Sequence, residues 1–160
     1  MPTARSRSFP RASVDNEPDT AAELKARALR HLVRREHSRA ELARKLAPHA
    51  ASPEAIEAVL DLLLSKKQQS DERFASERAR VLSRKYGPAR IRHDLRARGI
   101  SDEVIDRVSA ADELERARAI FQKKFPVKSE GRAEQAKRAR FLQGRGFSYD
   151  VIRSLLKEVE

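Results

Sequence analysis

One short theme recurs three times along this chain: a helix closing on leucine, a break, and a serine opening a second apolar run. It reads SRAELARKLAPHAASPEAIEAVL from Ser38 to Leu60, GPARIRHDLRARGISDEVIDRV from Gly87 to Val108, and KRARFLQGRGFSYDVIRSLL from Lys137 to Leu156. Leu42, Leu46, Ser52 and Ile56 return as Ile91, Leu95, Ser101 and Ile105 at an offset of 49 residues. Arg98-Gly99-Ile100-Ser101 returns as Arg145-Gly146-Phe147-Ser148 at an offset of 47, which keeps Leu142 and Ile152 in register and sets Arg138 opposite Ile91. Self-similarity at this period is the mark of an array. Each copy alone is near the lower limit for an independent core, so neighbours are expected to bury surface against one another.

Local signals place helices at matching points in each copy. Thr20-x-x-Glu23 and Ser38-x-x-Glu41 fit the capping box, in which hydroxyl and carboxylate satisfy free amides of the first turn. Ser52 precedes Pro53 and Gly87 precedes Pro88, and proline suits the first helical position because its missing N–H has no partner to lose. Ser70, Ser101, Ser129 and Ser148 are further candidate N-caps. Gly99 and Gly146 stand where a left-handed residue ends a helix without a Cβ penalty.

The apolar stripes agree with these boundaries. Leu24, Ala28 and Leu32, then Phe74, Ala75, Val81 and Leu82, then Leu114, Ala117, Phe121 and Phe125 mark the first helix of each unit. Second helices carry Leu42/Leu46, Ile91/Leu95 and Phe141/Leu142, and third helices carry Ile56 to Leu63, Val104 to Val108 and Val151 to Val159. The expectation is an all-α tandem array of three three-helix units, residues 20–67, 68–110 and 111–160, behind a flexible, proline-containing tail over residues 1–19.

The residue inventory narrows the chemistry. The chain has no cysteine, which removes disulfides, thiolate metal sites and thiol nucleophiles. Its four histidines form no metal-ligating set, and no glycine-rich phosphate loop, nucleophile elbow or zinc-protease helix occurs. No cofactor, metal or catalytic residue is assigned, and an enzyme is the least favoured class. With no apolar run long enough to span a bilayer and no signal-like leader, a soluble cytoplasmic protein is expected, with monomer as the default.

A formal charge of +11, from 35 Lys+Arg against 24 Asp+Glu, calls for a polyanionic partner. Charge follows the repeat. Second helices are basic: +3 over Ala89–Arg98 and +3 over Ala133–Arg145. Third helices of the first two units are acidic, through Glu54, Glu57 and Asp61 and through Asp102, Glu103 and Asp106. An acidic last helix repels phosphates, which argues against a helix-turn-helix reader placing that helix in the major groove. The contact candidates are therefore Arg80, Arg84 and Lys85 at the end of a first helix, and Arg90, Arg92, Arg96, Arg98, Lys137, Arg138, Arg140 and Arg145 on second helices and the turns after them. Base stacking is sparsely provided for: Phe74, Phe121, Phe125, Phe141 and Phe147 fall on or beside apolar stripes, which leaves Tyr86 and Tyr149 as the plausible stacking or rim residues.

The segments SDERFA (Ser70 to Ala75), YGPARIRHDLRARGIS (Tyr86 to Ser101) and RFLQGRGFS (Arg140 to Ser148), supported by SRAELARKL (Ser38 to Leu46), resemble the RecX family in order and spacing. The resemblance covers about Ala22 to the carboxyl end. The chain departs from many relatives in having Ala111-Asp112-Glu113-Leu114 where they carry a tryptophan. The resemblance implies tandem three-helix units in an elongated, curved molecule. It also implies a regulator, mainly an inhibitor, of the RecA recombinase, one that binds the RecA–DNA filament and limits its growth, ATP hydrolysis, strand exchange and SOS-linked coprotease activity. The alternative is a nonspecific DNA-binding helical protein that acts without RecA.

Overall fold

A computed structural model describes residues 17–108, 112–128 and 130–158. Among these residues there are nine α-helices and no strand. The first triplet is α1 (Ala21–Arg34), α2 (Arg39–Leu46) and α3 (Pro53–Ser65), with a short 3₁₀ turn at Ala47–His49. The second is α4 (Asp71–Leu82), α5 (Pro88–Ala97) and α6 (Asp102–Val108), and the third α7 (Glu113–Lys124), α8 (Arg132–Gly144) and α9 (Tyr149–Glu158).

The caps form as their chemistry dictates. Both capping boxes close, with Thr20 and Ser38 hydroxyls accepting from the amides of Glu23 and Glu41, whose carboxylates accept from the amides of Thr20 and Ser38. Ser52 and Ser70 cap α3 and α4. The candidate cap Ser129 lies outside the described residues; α8 instead starts after Gly131, a residue at φ +110° with no side chain to accept. Of the expected tail, residues 1–16 are likewise outside the described residues, and its last member, Asp19, is held in place. The Asp19 amide donates to the His49 carbonyl at 2.8 Å, and its carboxylate accepts from Arg27 at 2.8 and 3.3 Å.

Each triplet has its own core. Leu24, Leu42, Leu46, Leu60 and Leu63 fill the first, Phe74, Ile91, Leu95 and Ile105 the second, and Phe121, Leu142, Phe147, Ile152 and Leu155 the third. Burying such a side chain contributes about 1.5–3 kcal/mol. One stripe residue differs from expectation. Val81 is 46% exposed and Ala79 takes the core position, because four-residue steps from Ala75 track the buried face of α4 more closely than six. At the position of Ile91, the third core holds Arg138, 5% exposed.

The units dock through one contact used twice. The turn after the second helix of each later unit sits on the amino-terminal end of the second helix before it. At the first junction Ser38 donates its hydroxyl to the Arg98 carbonyl at 2.7 Å, and a Cβ on Gly99 would lie 2.4 Å from the Ala40 Cβ. At the second, Gly87, the counterpart of Ser38, donates its amide to the Arg145 carbonyl at 2.7 Å, and Ala89 donates to Gly146 at 3.1 Å. A Cβ on Gly146 would lie 2.7 Å from the Arg90 amide nitrogen. Both glycines have positive φ, +80° and +89°, so they end their helices and admit the neighbouring unit at the same atom.

Polar side chains reinforce both junctions. At the first, buried Glu41 accepts from Arg98 at 2.7 Å and Arg35 at 3.2 Å, while Asp94 takes both Arg78 and Arg98. Burial pushes the Glu41 carboxyl up, but the hydrogen bonds from Arg35, Arg98 and the Ser38 amide outweigh it, and the net shift is downward. At the second, Arg116 of α7 reaches over the end of α4 and donates to the carbonyls of Ser83 and Tyr86 at 3.3 and 3.1 Å. That arginine fixes the third unit against the connection between α4 and α5.

Candidate functional site

The second junction builds a cleft of about 500 Å³. Arg84, Lys85 and Tyr86 follow the end of α4, and Lys123 and Lys124 occupy the last turn of α7. Cations suit helix carboxyl ends, where they offset the negative end of the macrodipole, and such positions leave their head groups in water. Phe141 of α8, Arg145 of the turn after it and Ile120 of α7 complete the lining. Among the described residues the cleft thus gathers five cationic side chains and no carboxylate.

Aromatic rings hold part of this charge in place. The Arg145 guanidinium lies 5.1 Å from the Phe141 ring centre and 5.5 Å from that of Tyr86. Arg90 lies 4.3 Å from the Tyr86 ring centre and donates to the Gly144 carbonyl at 3.2 Å. Ring faces attract these cations without neutralising them. Like charges gathered without a counter-charge raise the free energy of the unliganded protein, and a polyanion relieves that cost.

The structure brings Arg84, Lys85, Arg90 and Arg145 of the sequence candidates to this one place, and leaves Arg140 exposed on α8. The others are elsewhere and engaged. Arg92 pairs with Asp106 at 2.5 Å and Arg96 with Asp102 at 2.7 Å, so the acidic third helix of the second unit partners its basic second helix. The hydrogen bond to Asp102 raises the Arg96 pKa and lowers that of Asp102. Arg80 pairs with Glu77 one turn back on α4, and Arg98 belongs to the first junction. Lys137 stands 3.9 Å from Glu134.

Arg138, counted with the basic candidates, is turned inward. It donates to the Val127 carbonyl at 2.8 Å and to Glu134 at 3.3 Å, and its guanidinium lies 5.0 Å from the Phe125 ring centre. It is a core residue of the third unit, inaccessible to a partner. Lys123 and Lys124 were missed by reading charge along second helices. The available signal was two adjacent lysines closing a first helix, the place where Arg84 and Lys85 also lie.

Among the described residues no group of three or more His, Asp or Glu side chains could hold a metal ion, and no helix is long and apolar enough to cross a membrane.

Comparison with known proteins gives a consistent result. Family models described as the first, second and third three-helix domains of RecX match residues 25–63, 70–108 and 111–156. The chain is 45% identical over 137 residues to the regulatory protein RecX of Leptothrix cholodnii, covering 84% of this chain and 87% of that one. It is 41% identical over 143 residues to that of Ralstonia nicotianae, covering 88% and 90%. The crystal structure of RecX from Lactobacillus salivarius superposes with a TM-score of 0.78 at 22% identity, over 87% of this chain and 96% of that one, a likeness of fold.

Proposed function

The chain belongs to the RecX family, a family of regulatory proteins, and from that premise we propose that it regulates the RecA recombinase by binding the RecA–DNA filament. In this reading it acts in the cytoplasm as a monomer and without catalysis of its own. It limits filament growth, and with it ATP hydrolysis, strand exchange and coprotease activity.

The acid-free cationic cleft between the second and third units carries this reading. A filament presents a polyanion wound in protein, and a cleft of five cations is matched to the phosphodiester backbone rather than to base edges. Arg84, Lys85, Lys123 and Lys124 are the proposed phosphate contacts, and Arg140 extends them along α8. Arg145 positions Tyr86 and Phe141 and adds charge to the wall, and Arg90 backs the Tyr86 ring. In this reading the surface is sequence-tolerant, because its contacts are made chiefly to phosphates, which carry no sequence information.

The test is a charge reversal at the exposed contacts, Arg84→Glu, Lys85→Glu and Lys123→Glu together, read as inhibition of RecA-dependent ATP hydrolysis on single-stranded DNA. The concentration giving half inhibition should rise by at least about tenfold, a loss of about 1.4 kcal/mol, with helicity unchanged. Arg96→Ala, which removes an exposed arginine already paired to Asp102, should leave inhibition intact. Unaltered inhibition by the triple variant sinks the proposed site.

The same cleft would serve a DNA-binding protein that ignores RecA, so a titration separates the two. Binding to single-stranded DNA should tighten when RecA coats the strand. Equal affinity for bare and coated DNA favours the RecA-independent reading.

A further inference from the structure

The three units are built alike, and one difference between them opens a second surface. In the second unit the seam between α5 and α6 is clasped by ion pairs: Arg92 to Asp106 at 2.5 Å and to Asp102 at 3.9 Å, and Arg96 to Asp102 at 2.7 Å. In the first unit Arg39 of α2 pairs with Glu57 and Asp61 of α3. Carrying the second unit onto the third at the offset of 47 replaces Arg92, Arg96, Asp102 and Asp106 with Ala139, Gln143, Tyr149 and Arg153. No clasp can form. The seam between α8 and α9 is instead a groove of about 470 Å³ lined by Ala139, Phe147, Tyr149, Ile152 and Leu156, with Gln143 on one rim and Arg153 and Lys157 on the other.

Three observations set this groove apart from ordinary surface. Tyr149 is 75% exposed at its mouth, a large ring left in water where the second unit has an aspartate. Among the described residues the rim is positive only: no carboxylate lines it, and neither Arg153 nor Lys157 enters an ion pair. Glu158, the next carboxylate along α9, is held by Arg118 at 2.9 Å. An apolar trough with one cationic edge matches an amphipathic segment that seats an aliphatic or aromatic side chain and follows it with carboxylates.

We infer that the α8–α9 groove is a protein-docking site for an acidic segment of a partner, which inserts an apolar side chain between Ala139, Ile152 and Leu156 and sets carboxylates against Arg153 and Lys157. The site lies on the third unit away from the cationic cleft, shares none of its lining residues, and takes a protein segment rather than a nucleic acid. Regulation of a nucleoprotein filament would then use two hands of opposite specificity, but the groove stands on its own evidence.

The unit 2 clasp supplies the test. Ala139→Arg with Arg153→Asp rebuilds the Arg92–Asp106 pair across the groove. The probe is a fluorescein-labelled helical peptide with leucines on one face and glutamates on the others, followed by anisotropy and by backbone-amide chemical shifts. The wild-type protein should bind it saturably, with shifts at Ala139, Tyr149, Ile152 and Leu156. The double variant should bind at least about tenfold more weakly, and Tyr149→Asp, a change at an exposed residue that leaves the core untouched, should weaken it as well. Lys85→Glu with Lys123→Glu should not.

Equal binding by the double variant overturns the inference, as does equal binding of the peptide with lysine for glutamate. So does a shift map centred on Lys85 and Lys123, or loss of binding in the Lys85/Lys123 variant, either of which would mean bulk attraction to a basic protein. Sedimentation equilibrium provides a further arm: a dimer abolished by the clasp variant would assign the groove to a second copy and also overturn the inference.

Discussion

Two glycines, on different helices, answer an added Cβ in opposite senses. Gly144 ends α8 with open space around its missing Cβ, so Gly144→Ala should raise stability by about 0.5–1 kcal/mol through lower unfolded-chain entropy. Gly87 has ordinary backbone angles, yet a Cβ there would lie 2.4 Å from the Gly146 carbonyl oxygen. Gly87→Ala should lower stability by about 1–3 kcal/mol by forcing the second junction apart. Chemical denaturation of the two variants checks both signs.

Arg138 shows what single residues conceal. The repeat register set it opposite the core residue Ile91, but composition counted it as surface charge. Alignment gave the right environment and charge counting the wrong one. Its ring contacts with Phe121 and Phe125 depend on how α8 packs against α7, and its bond to Val127 on the connection between them, neither of which is written locally. Arg138→Met should hold stability within about 1.5 kcal/mol, because a flexible apolar chain of similar length fills the site, whereas Arg138→Glu should unfold the third unit. Neither effect should depend on DNA.

At the level of helices, caps and apolar stripes were legible because they are written within a few residues of one another. Ion pairs were not. Arg92 meets Asp106 and Arg98 meets Glu41 only after helices pack, so a strip of basic second helices looked continuous in sequence and is interrupted in space. The cleft was legible only in half, since its α4 side was named and its α7 side was not.

Glu41 is the strongest test of these pairings. Glu41→Ala leaves two arginines without their buried partner and should cost about 2–3 kcal/mol. That is less than the roughly 3–5 kcal/mol of a fully buried pair, because Arg35 and Arg98 regain water. Glu41 and Asp94 both have folded-state pKa values below the ordinary carboxylate range, Asp94 chiefly through its hydrogen bond from Arg78. The unfolded chain therefore takes up protons first as pH falls. Their contribution is complete above about pH 4, the unfolded carboxylate range, and is lost as pH drops through the lower folded values.

His31 and His37 act in a higher window. Burial lowers both pKa values, so the unfolded state also gains protons first below about pH 6.5. The thermal midpoint should fall between about pH 7.5 and 5.5, and His31→Gln with His37→Gln should flatten that decline.

Over the whole molecule, charge is sorted by junction. The first junction is a closed network in which acid meets base, and the second leaves its cations open. Binding to a polyanion should accordingly weaken steeply with salt. The logarithmic slope on single-stranded DNA should lose about 0.7 for each cleft contact removed from Arg84, Lys85, Lys123 and Lys124, and nothing for Arg92 or Arg96. A slope that responds equally to all six would mean that net charge, not the cleft, governs affinity.

The second junction also has a bearing on how such a protein can change over generations. Gly87 to Arg145 and Ala89 to Gly146 are bonds between peptide groups, so they do not depend on the chemistry of a side-chain head group. A bulkier atom at Gly87 or Gly146 wedges them open and proline in place of Gly87 or Ala89 removes a donor, whereas exchanges of surrounding side chains leave the bonding groups themselves in place. The pitch of the array is thereby insulated from mutational drift. The cleft and the groove are free to be rewritten, residue by residue, on a frame that stays put.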